Sequence, residues 1–444
     1  MLDLFVTASR LLEVVTMAGV DRIPYLGVTI QVVTLALAVI SGGARRVLAS
    51  RVSICVGLFT AWMIVCTLLS TWRGGSADTL IRQWVPSLII FVSCGSVVTL
   101  LQCRKVSTVL AAGTAFIAGA SYFLGTLKQD RLAFDVGTLG NSNELALLLV
   151  LGAPFFLVPI FSQSSSGVRK IVALALCVLV LVTVVRSASR SSLLALISIL
   201  VVLFWTRPFA GKIKLALVTI GIVGVFIAAT PREALSRYGT LFGDAQTGDE
   251  EAASAHESSR ARQYLLEQSL KLTMDHPIFG LGPGIFLVGE AELAKEEGQA
   301  ATWHVSHNSY TQVSSEMGIP GLLLYLIALW ATFRNVFWFR AHSRIDPTGT
   351  ASAMGLALLL SLTGLCVNLA FSSNAYLSYL PMLMGLSVVF RKSLQREMNL
   401  HSPTVSAPEP TLRVKSAPGK IEHPRPTVGK PTYKFLGRPR RSGA

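Results

Sequence analysis

Residues 171–206 read IVALALCVLVLVTVVRSASRSSLLALISILVVLFWT, two apolar runs joined by a short polar link. Each run approaches the length of a helix that crosses about 30 Å of hydrocarbon. Arg186 and Arg190 stand in the link, where each run ends or begins. An apolar run, a short polar link and a second apolar run are typical of a multi-pass membrane protein.

The same pattern extends over most of the 444 residues, of which 52% are hydrophobic and only 14% charged. A mean hydropathy of +0.57 is too apolar for a soluble domain. We therefore expect an all-α polytopic membrane protein with 11–12 transmembrane helices, one set in residues 1–230 and another in 307–390. The weakest run, 4–20, either spans or lies at the membrane interface. The predicted spans are 23–42, 52–71, 80–102, 106–124, 141–161, 171–186, 191–206, 213–230, 319–340, 351–372 and 375–390.

Lysine and arginine are concentrated in every second loop, the pattern that marks cytoplasmic loops. These loops carry Arg45, Arg46 and Arg51, Arg104 and Lys105, Arg169 and Lys170, Arg207, Lys212 and Lys214, and Arg340 and Arg344. The alternation predicts a bacterial cytoplasmic (inner) membrane protein whose only long loop, 231–306, faces the periplasm or outside.

The formal charge of +15 does not indicate nucleic-acid binding, because the tail 391–444 contributes twelve basic residues against three acids. This Pro-rich tail is predicted to be disordered, cytoplasmic and attracted to anionic membrane lipids. The six cysteines lie in or beside apolar runs, where they are expected to pack.

The long loop 231–306 holds twelve of the twenty-four acids. Residues 260–274 have helical apolar spacing, whereas 243–259 read as mobile. The stretch GLGPG at 280–284 lacks the flanking Lys and Ser of a phosphate-binding loop, so a tight turn is expected.

His307 precedes a predicted helix that Ser306 or Asn308 caps. A helix N-terminus disfavours the imidazolium and leaves a neutral ring that can act as a general base. The alternative is a histidine that anchors the helix start. His304 and His307 lack a third metal ligand, so neither a metal nor a cofactor is expected.

Two pairs of arginines are candidate anion ligands. Arg186 and Arg190 are four residues apart and are expected to share one helical face, where they bind phosphate or snorkel to headgroups. Arg260 and Arg262 open the loop helix at the end where the helix dipole disfavours cations, so either a bound anion or neighbouring acids compensate them.

Four segments in chain order resemble the O-antigen ligase and O-antigen polymerase superfamily of membrane glycan transferases. They are GTLGNSNELALLLVLGAPF (137–155), SASRSSLLALI (187–197), RQYLLEQSLKLTMDHPIFGLGPGIF (262–286) and HNSYTQVSSEMGIPGLLLYL (307–326). The likeness covers about residues 137–390. Leu266 departs from it at a position that is often aromatic, and the basic tail is not typical of the family.

The resemblance implies an inverting, metal-independent transfer of a glycan from undecaprenyl diphosphate to an acceptor hydroxyl on a glycan or lipid. It implies His307 as the residue that deprotonates or orients the acceptor, and Arg190 and Arg262 as diphosphate ligands. Arg186 and Arg260 are the neighbouring alternatives. Ligase and polymerase both remain open, and a transporter or flippase for an anionic or lipid-linked glycan is the alternative class, since arginines also line transport pathways.

Overall fold

The computed structural model describes residues 1–17, 23–128, 131–135, 137–213, a few positions between 215 and 224, 250–298 and 300–401. The expected all-α fold is confirmed: the described chain is helical apart from one two-stranded hairpin and short loops. The first helices are α1 Leu2–Ser9, α2 Leu11–Met17, α3 Ile23–Ile40, α4 Gly43–Leu48, α5 Arg51–Leu68, α6 Arg73–Thr79, α7 Val85–Ser93 and α8 Leu100–Leu124. After the hairpin, β1 Thr126–Lys128 and β2 Arg131–Ala133, come α9 Ser142–Gly152, α10 Leu157–Phe161, α11 Gly167–Arg186, α12 Arg190–Trp205, α13 Glu250–Asp275, α14 Phe286–Glu296, α15 Ser309–His342, α16 Thr350–Leu369 and α17 Tyr379–His401.

Six stretches of the described helices are long and apolar enough to cross a membrane. They are Arg51–Leu68, Leu100–Leu124, Ser142–Phe161, Gly167–Arg186, Ser309–Ile345 and Thr350–Leu369, and Leu26–Ile40 and Arg190–Trp205 are shorter apolar helices. Helix α17 continues past the predicted span to His401. The predicted span 213–230 falls mostly, and the tail from 402 entirely, outside the described residues.

The predicted span 80–102 is not one helix. A π-helical turn at Leu80–Trp84 leads into α7, and a 3-10 turn at Cys94–Ser96 ends it. Residues 100–102 already belong to α8, whose Thr99 cap and Gln102 form a capping box. The physical reason is local: the polar Ser96 and Thr99 interrupt an apolar run that hydropathy alone treats as continuous.

The N-terminal segment runs through the bundle instead of lying across its end. Asp3 is close enough to act electrostatically on Cys94, beyond the end of α7. At the other end of the segment, the Glu13 carboxylate accepts a hydrogen bond of 2.8 Å from the Thr138 hydroxyl. The two short helices are separated by Arg10, whose φ of 46° breaks the helical path.

The predicted loop helix is present, but it begins ten residues earlier than the expected residue 260. Helix α13 starts at Glu250, so more than half of the stretch 243–259 that was expected to be mobile is helical. Alanine and glutamate, which are frequent in residues 250–257, are strong helix formers. A second helix, α14, follows the glycine-rich turn and was not predicted.

Two glycines let the loop fold back onto α15. Gly318, with φ 71°, kinks α15, and the following Ile319 N–H donates to the Pro277 carbonyl oxygen at 2.8 Å. Gly280, with φ 66°, approaches the backbone of Glu316, where a Cβ atom would collide. The glycines are therefore required both by backbone conformation and by close approach.

The Gly318→Ala variant tests this docking. We expect it to lose at least about 2 kcal/mol of stability, because a side chain there is strained by φ and meets the Ile278 carbonyl oxygen. The measurement is the Tm of the detergent-solubilised protein.

Gly57→Ala is the matched control, since nothing lies within 4 Å of a Cβ at this position in the interior of α5. It should be neutral or slightly stabilising. Equal Tm values for the two variants would contradict the proposed constraint.

Candidate functional site

His307 lies immediately before the start of α15 and is held by its backbone. Helix α15 begins at Ser309, and Asn308 is the N-cap residue whose side chain accepts hydrogen bonds from the Tyr310 and Thr311 N–H groups. His307 has a left-handed φ of 51°. Its N–H donates to the Ser373 hydroxyl at 2.8 Å. The backbone conformation that sets the direction of the ring is therefore fixed from outside the helix.

The partner of this histidine is the loop between α16 and α17. The buried Ser309 hydroxyl donates to the Ser372 carbonyl oxygen at 2.6 Å and accepts from the Asn374 N–H at 2.9 Å. The hydroxyl oxygens of Ser306 and Ser373 lie 3.1 Å apart. Small hydroxyl side chains thus join the backbone before α15 to the loop between α16 and α17.

The environment of His307 favours the neutral imidazole. Burial, followed by the positive charges of Arg262 and His304, lowers the pKa of His307 from 6.5 to about 4. The sequence predicted the same direction from the helix dipole, but burial and a neighbouring arginine are the main physical causes. A neutral ring at pH 7 has one nitrogen that accepts a proton.

Arg262 and Arg260 occupy different environments on α13. Arg262 is half-buried and lies near enough to His307 for its charge to lower the pKa of that ring. Arg260 is exposed two residues earlier. Residues two apart point to opposite sides of a helix, which explains why Arg262 and not Arg260 contributes to the lowered pKa of His307.

The expectation that Arg186 and Arg190 share one helical face is wrong. Helix α11 ends at Arg186 and α12 begins at Arg190, with a turn between them in which Ala188 has a φ of 48°. The Arg186 guanidinium lies over the Tyr122 ring, 5.1 Å from its centroid. Arg190 instead occupies the first turn of α12, after its cap Ser189.

Asn143 at the start of α9 fixes the turn that carries Arg190. Its side-chain oxygen accepts from the Ser189 hydroxyl at 2.9 Å and from the Arg131 guanidinium at 2.8 Å. Arg131 also donates to the Ser187 carbonyl oxygen at 3.2 Å. The hairpin, α9 and the turn between α11 and α12 therefore form one hydrogen-bonded group.

The next residue, Glu144, extends this group to the loop beside His307. Its carboxylate accepts from the Asn374 side-chain amide at 2.8 and 3.0 Å. Asn374 in turn donates its N–H to Ser309. A continuous path of hydrogen bonds and adjacent residues thus connects the turn of Arg190 to the start of α15.

The N-terminal helices contribute a charged pair that the sequence did not predict. The Arg10 guanidinium donates to the Glu13 carboxylate at 3.0 Å and to the Tyr379 hydroxyl at 2.6 Å. Glu13 also accepts from Thr138, three residues before the cap of α9. The only sequence signal was a pair of charges in an otherwise apolar run.

Glu316 was likewise missed, although it lies within the HNSYTQVSSEMGIPG motif. Its buried carboxylate accepts from the N–H groups of Gly284 and Phe286 at 2.9 and 3.3 Å and from the Tyr376 hydroxyl at 2.7 Å. A buried carboxylate with three donors is well satisfied. Glu316 therefore holds the glycine-rich turn against α15.

His304 is exposed, and among the residues that the structure describes no group of three or more His, Cys, Asp or Glu side chains is arranged to hold a metal ion. The described residues bring together a neutral imidazole on one segment and the positive charge of Arg262 on another.

These observations define a multi-pass membrane protein with a basic polar site at one end of its helix bundle. Residues 175–326 match the family model described as O-antigen ligase, and this match confirms the resemblance seen in the sequence. The match covers about a third of the chain and includes Arg190, Arg262 and His307. A search of the curated proteins found no match. The family supports a glycosyltransferase activity of the ligase or polymerase type.

The pH dependence of stability tests the environment of His307. As the pH falls from about 6.5 to about 4, the unfolded chain takes up a proton on His307 that the folded protein does not, so stability decreases over this window. His307→Gln should show a smaller decrease in Tm over the same window.

His276→Gln is the control for this measurement, because His276 is exposed on the same loop and a change there leaves the buried ring in place. An identical fall in Tm for the wild type and His307→Gln would show that His307 is not held neutral.

Proposed function

We propose that this protein transfers a glycan from undecaprenyl diphosphate to an acceptor hydroxyl, at the outer face of the bacterial cytoplasmic membrane. The observation that carries the proposal is the half-buried ring of His307, which is kept neutral by burial and by the nearby positive charge of Arg262. A general base and an anion ligand from separate segments are the two groups that this displacement needs.

His307 is the proposed base. The acceptor hydroxyl loses its proton to the neutral imidazole as its oxygen attacks the anomeric carbon. Attack from the face opposite the diphosphate inverts that carbon in a single step. A bound diphosphate also places negative charge beside Arg262, which raises the pKa of His307 towards the range in which a base is effective.

Arg262 and Arg190 are the proposed diphosphate ligands. The bond from the anomeric carbon to the diphosphate oxygen breaks, and the departing diphosphate carries the electron pair away. Guanidinium groups stabilise that developing charge through paired hydrogen bonds and require no metal ion. The path through Asn143 and Glu144 supports Arg190 as a member of the same site.

The distribution of basic residues supports the proposed orientation. The Lys392 ammonium of α17 donates to the Arg46 carbonyl oxygen of α4, and the Arg104 guanidinium of α8 donates to the Ser164 hydroxyl. These basic residues lie at the helix ends away from His307. By the charge rule that end is cytoplasmic. The site then faces the periplasm, where the lipid-linked glycan and its lipid or glycan acceptor meet.

Activity of single variants tests the assigned roles. His307→Ala and Arg262→Ala should each lower the transfer rate by at least about 100-fold, the range typical of a lost base or a lost charge-stabilising donor. The assay follows a labelled glycan from polyprenyl diphosphate to acceptor in proteoliposomes, with a chelator present throughout.

Arg260→Ala is the matched control, two residues from Arg262 on the same helix and exposed. It should retain most of the activity at equal protein abundance. Full activity of His307→Ala would rule out the proposed base, and complete loss of wild-type activity with chelator would rule out the metal-independent mechanism.

A further inference from the structure

The outward face of α13 carries an apolar row that no described residue covers. Leu266, Leu270 and Met274 follow one another at intervals of four residues and are 37%, 46% and 68% exposed. The neighbouring row on the same face is charged. It consists of Glu267, Lys271 and Asp275. Three exposed apolar side chains in one row on a helix outside the predicted spans are unusual for a surface that faces water.

Beyond α13, the apolar residues of the chain reach a side chain that lies within a candidate membrane span. After α13 the chain passes Ile278, which is exposed, and reaches Phe279. The Phe279 ring stacks on Trp62 of α5, with centroids 5.4 Å apart and planes 19° apart. Trp62 lies six residues inside the end of this candidate span, which corresponds to about 9 Å along the helix. Phe279 therefore lies at the level of the span and not above it.

A second contact places the same row beside the exposed side of α15. The Ile319 N–H donates to the Pro277 carbonyl oxygen, so Ile278 and Ile319 are adjacent. Ile319 and Leu323 are exposed on the apolar part of α15 that follows the kink. In a protein that crosses the membrane, such exposed aliphatic side chains face lipid. The row on α13 is the continuation of that surface.

We propose that α13 is an interfacial helix whose apolar row inserts among the acyl chains of the leaflet at the His307 end of the bundle. The charged row then faces the headgroups and water, which is the arrangement of a helix lying in a membrane interface. Arg262 lies about one helical turn before Leu266 on the same side of α13. At this end of the helix the row changes from apolar to polar side chains. Lipid contact along this row holds Arg262 at headgroup depth.

Lipid quenching tests the contact directly. A bimane probe is attached at Leu270→Cys in the full-length protein, which is reconstituted in phosphatidylcholine vesicles with or without brominated acyl chains. We expect brominated lipid to quench this probe at least about twice as strongly as a probe at Glu267→Cys, because only the first faces acyl chains.

The unmodified chain, whose six cysteines are all buried or half-buried, supplies the background. Met274→Cys and Asp275→Cys form a second matched pair one turn further along, so the test survives the failure of one variant to fold. Equal quenching at the apolar and charged rows would overturn the proposal. Cross-linking between two Leu270→Cys copies without lipid quenching would also overturn it, since a second chain would then cover the row. Neither readout depends on glycan transfer, so failure here is distinct from failure of the proposed function.

Discussion

The buried hydroxyl of Ser309 joins the first turn of α15 to the loop between α16 and α17, and the position of His307 depends on it. The hydroxyl both donates and accepts, and it lies where water has little access. A buried polar group without partners costs roughly 1–3 kcal/mol, so this joint is strongly specified. His307 precedes it by two residues and adds its own bond to Ser373. The histidine is therefore held by a framework of backbone and small side chains.

The same principle organises the rest of the site. Asn143, Glu144 and Asn374 each connect two segments that are far apart in sequence. Glu316 performs the equivalent role for the glycine-rich turn through two N–H groups and a tyrosine hydroxyl. Because these polar side chains satisfy one another, the segments that carry His307 and Arg190 keep a fixed relative position. The proposed diphosphate ligands are arginines, whose guanidinium groups stay charged at neutral pH while the ring of His307 is neutral.

The sequence was sufficient for the membrane class, the loop helix and the helix start that follows His307, because each of these leaves a local pattern. Apolar runs of about twenty residues predict membrane-spanning helices. The polar residues around His307 predict a helix start, and Asn308 is its N-cap residue. The sequence did not reveal that Arg186 and Arg190 lie on different helices. Two residues four apart share a helical face only if one helix continues through both of them. Ala188 takes the left-handed conformation there, and nothing in its side chain indicates this.

Hydrogen bonds between residues far apart in the chain could not be predicted from the sequence. Arg10 contacts Tyr379 across nearly the whole chain, and no spacing rule links two such positions. Glu316 stands in a recognisable motif, but its role as a hydrogen-bond acceptor for the loop turn follows only from the fold. The pKa of His307 shows the same limit: the direction follows from local sequence, whereas the main cause is tertiary burial.

Binding of the diphosphate group tests the central claim most directly, since it isolates the arginines from the chemistry. Native mass spectrometry of the purified protein with polyprenyl diphosphate and polyprenyl monophosphate gives the two affinities. We expect the diphosphate to bind at least about tenfold more tightly, a difference of about 1.4 kcal/mol. This preference should disappear in Arg190→Ala and Arg262→Ala and persist in Arg260→Ala. Equal affinity for both lipids in the wild type, or a preference unchanged in all three variants, would contradict the account.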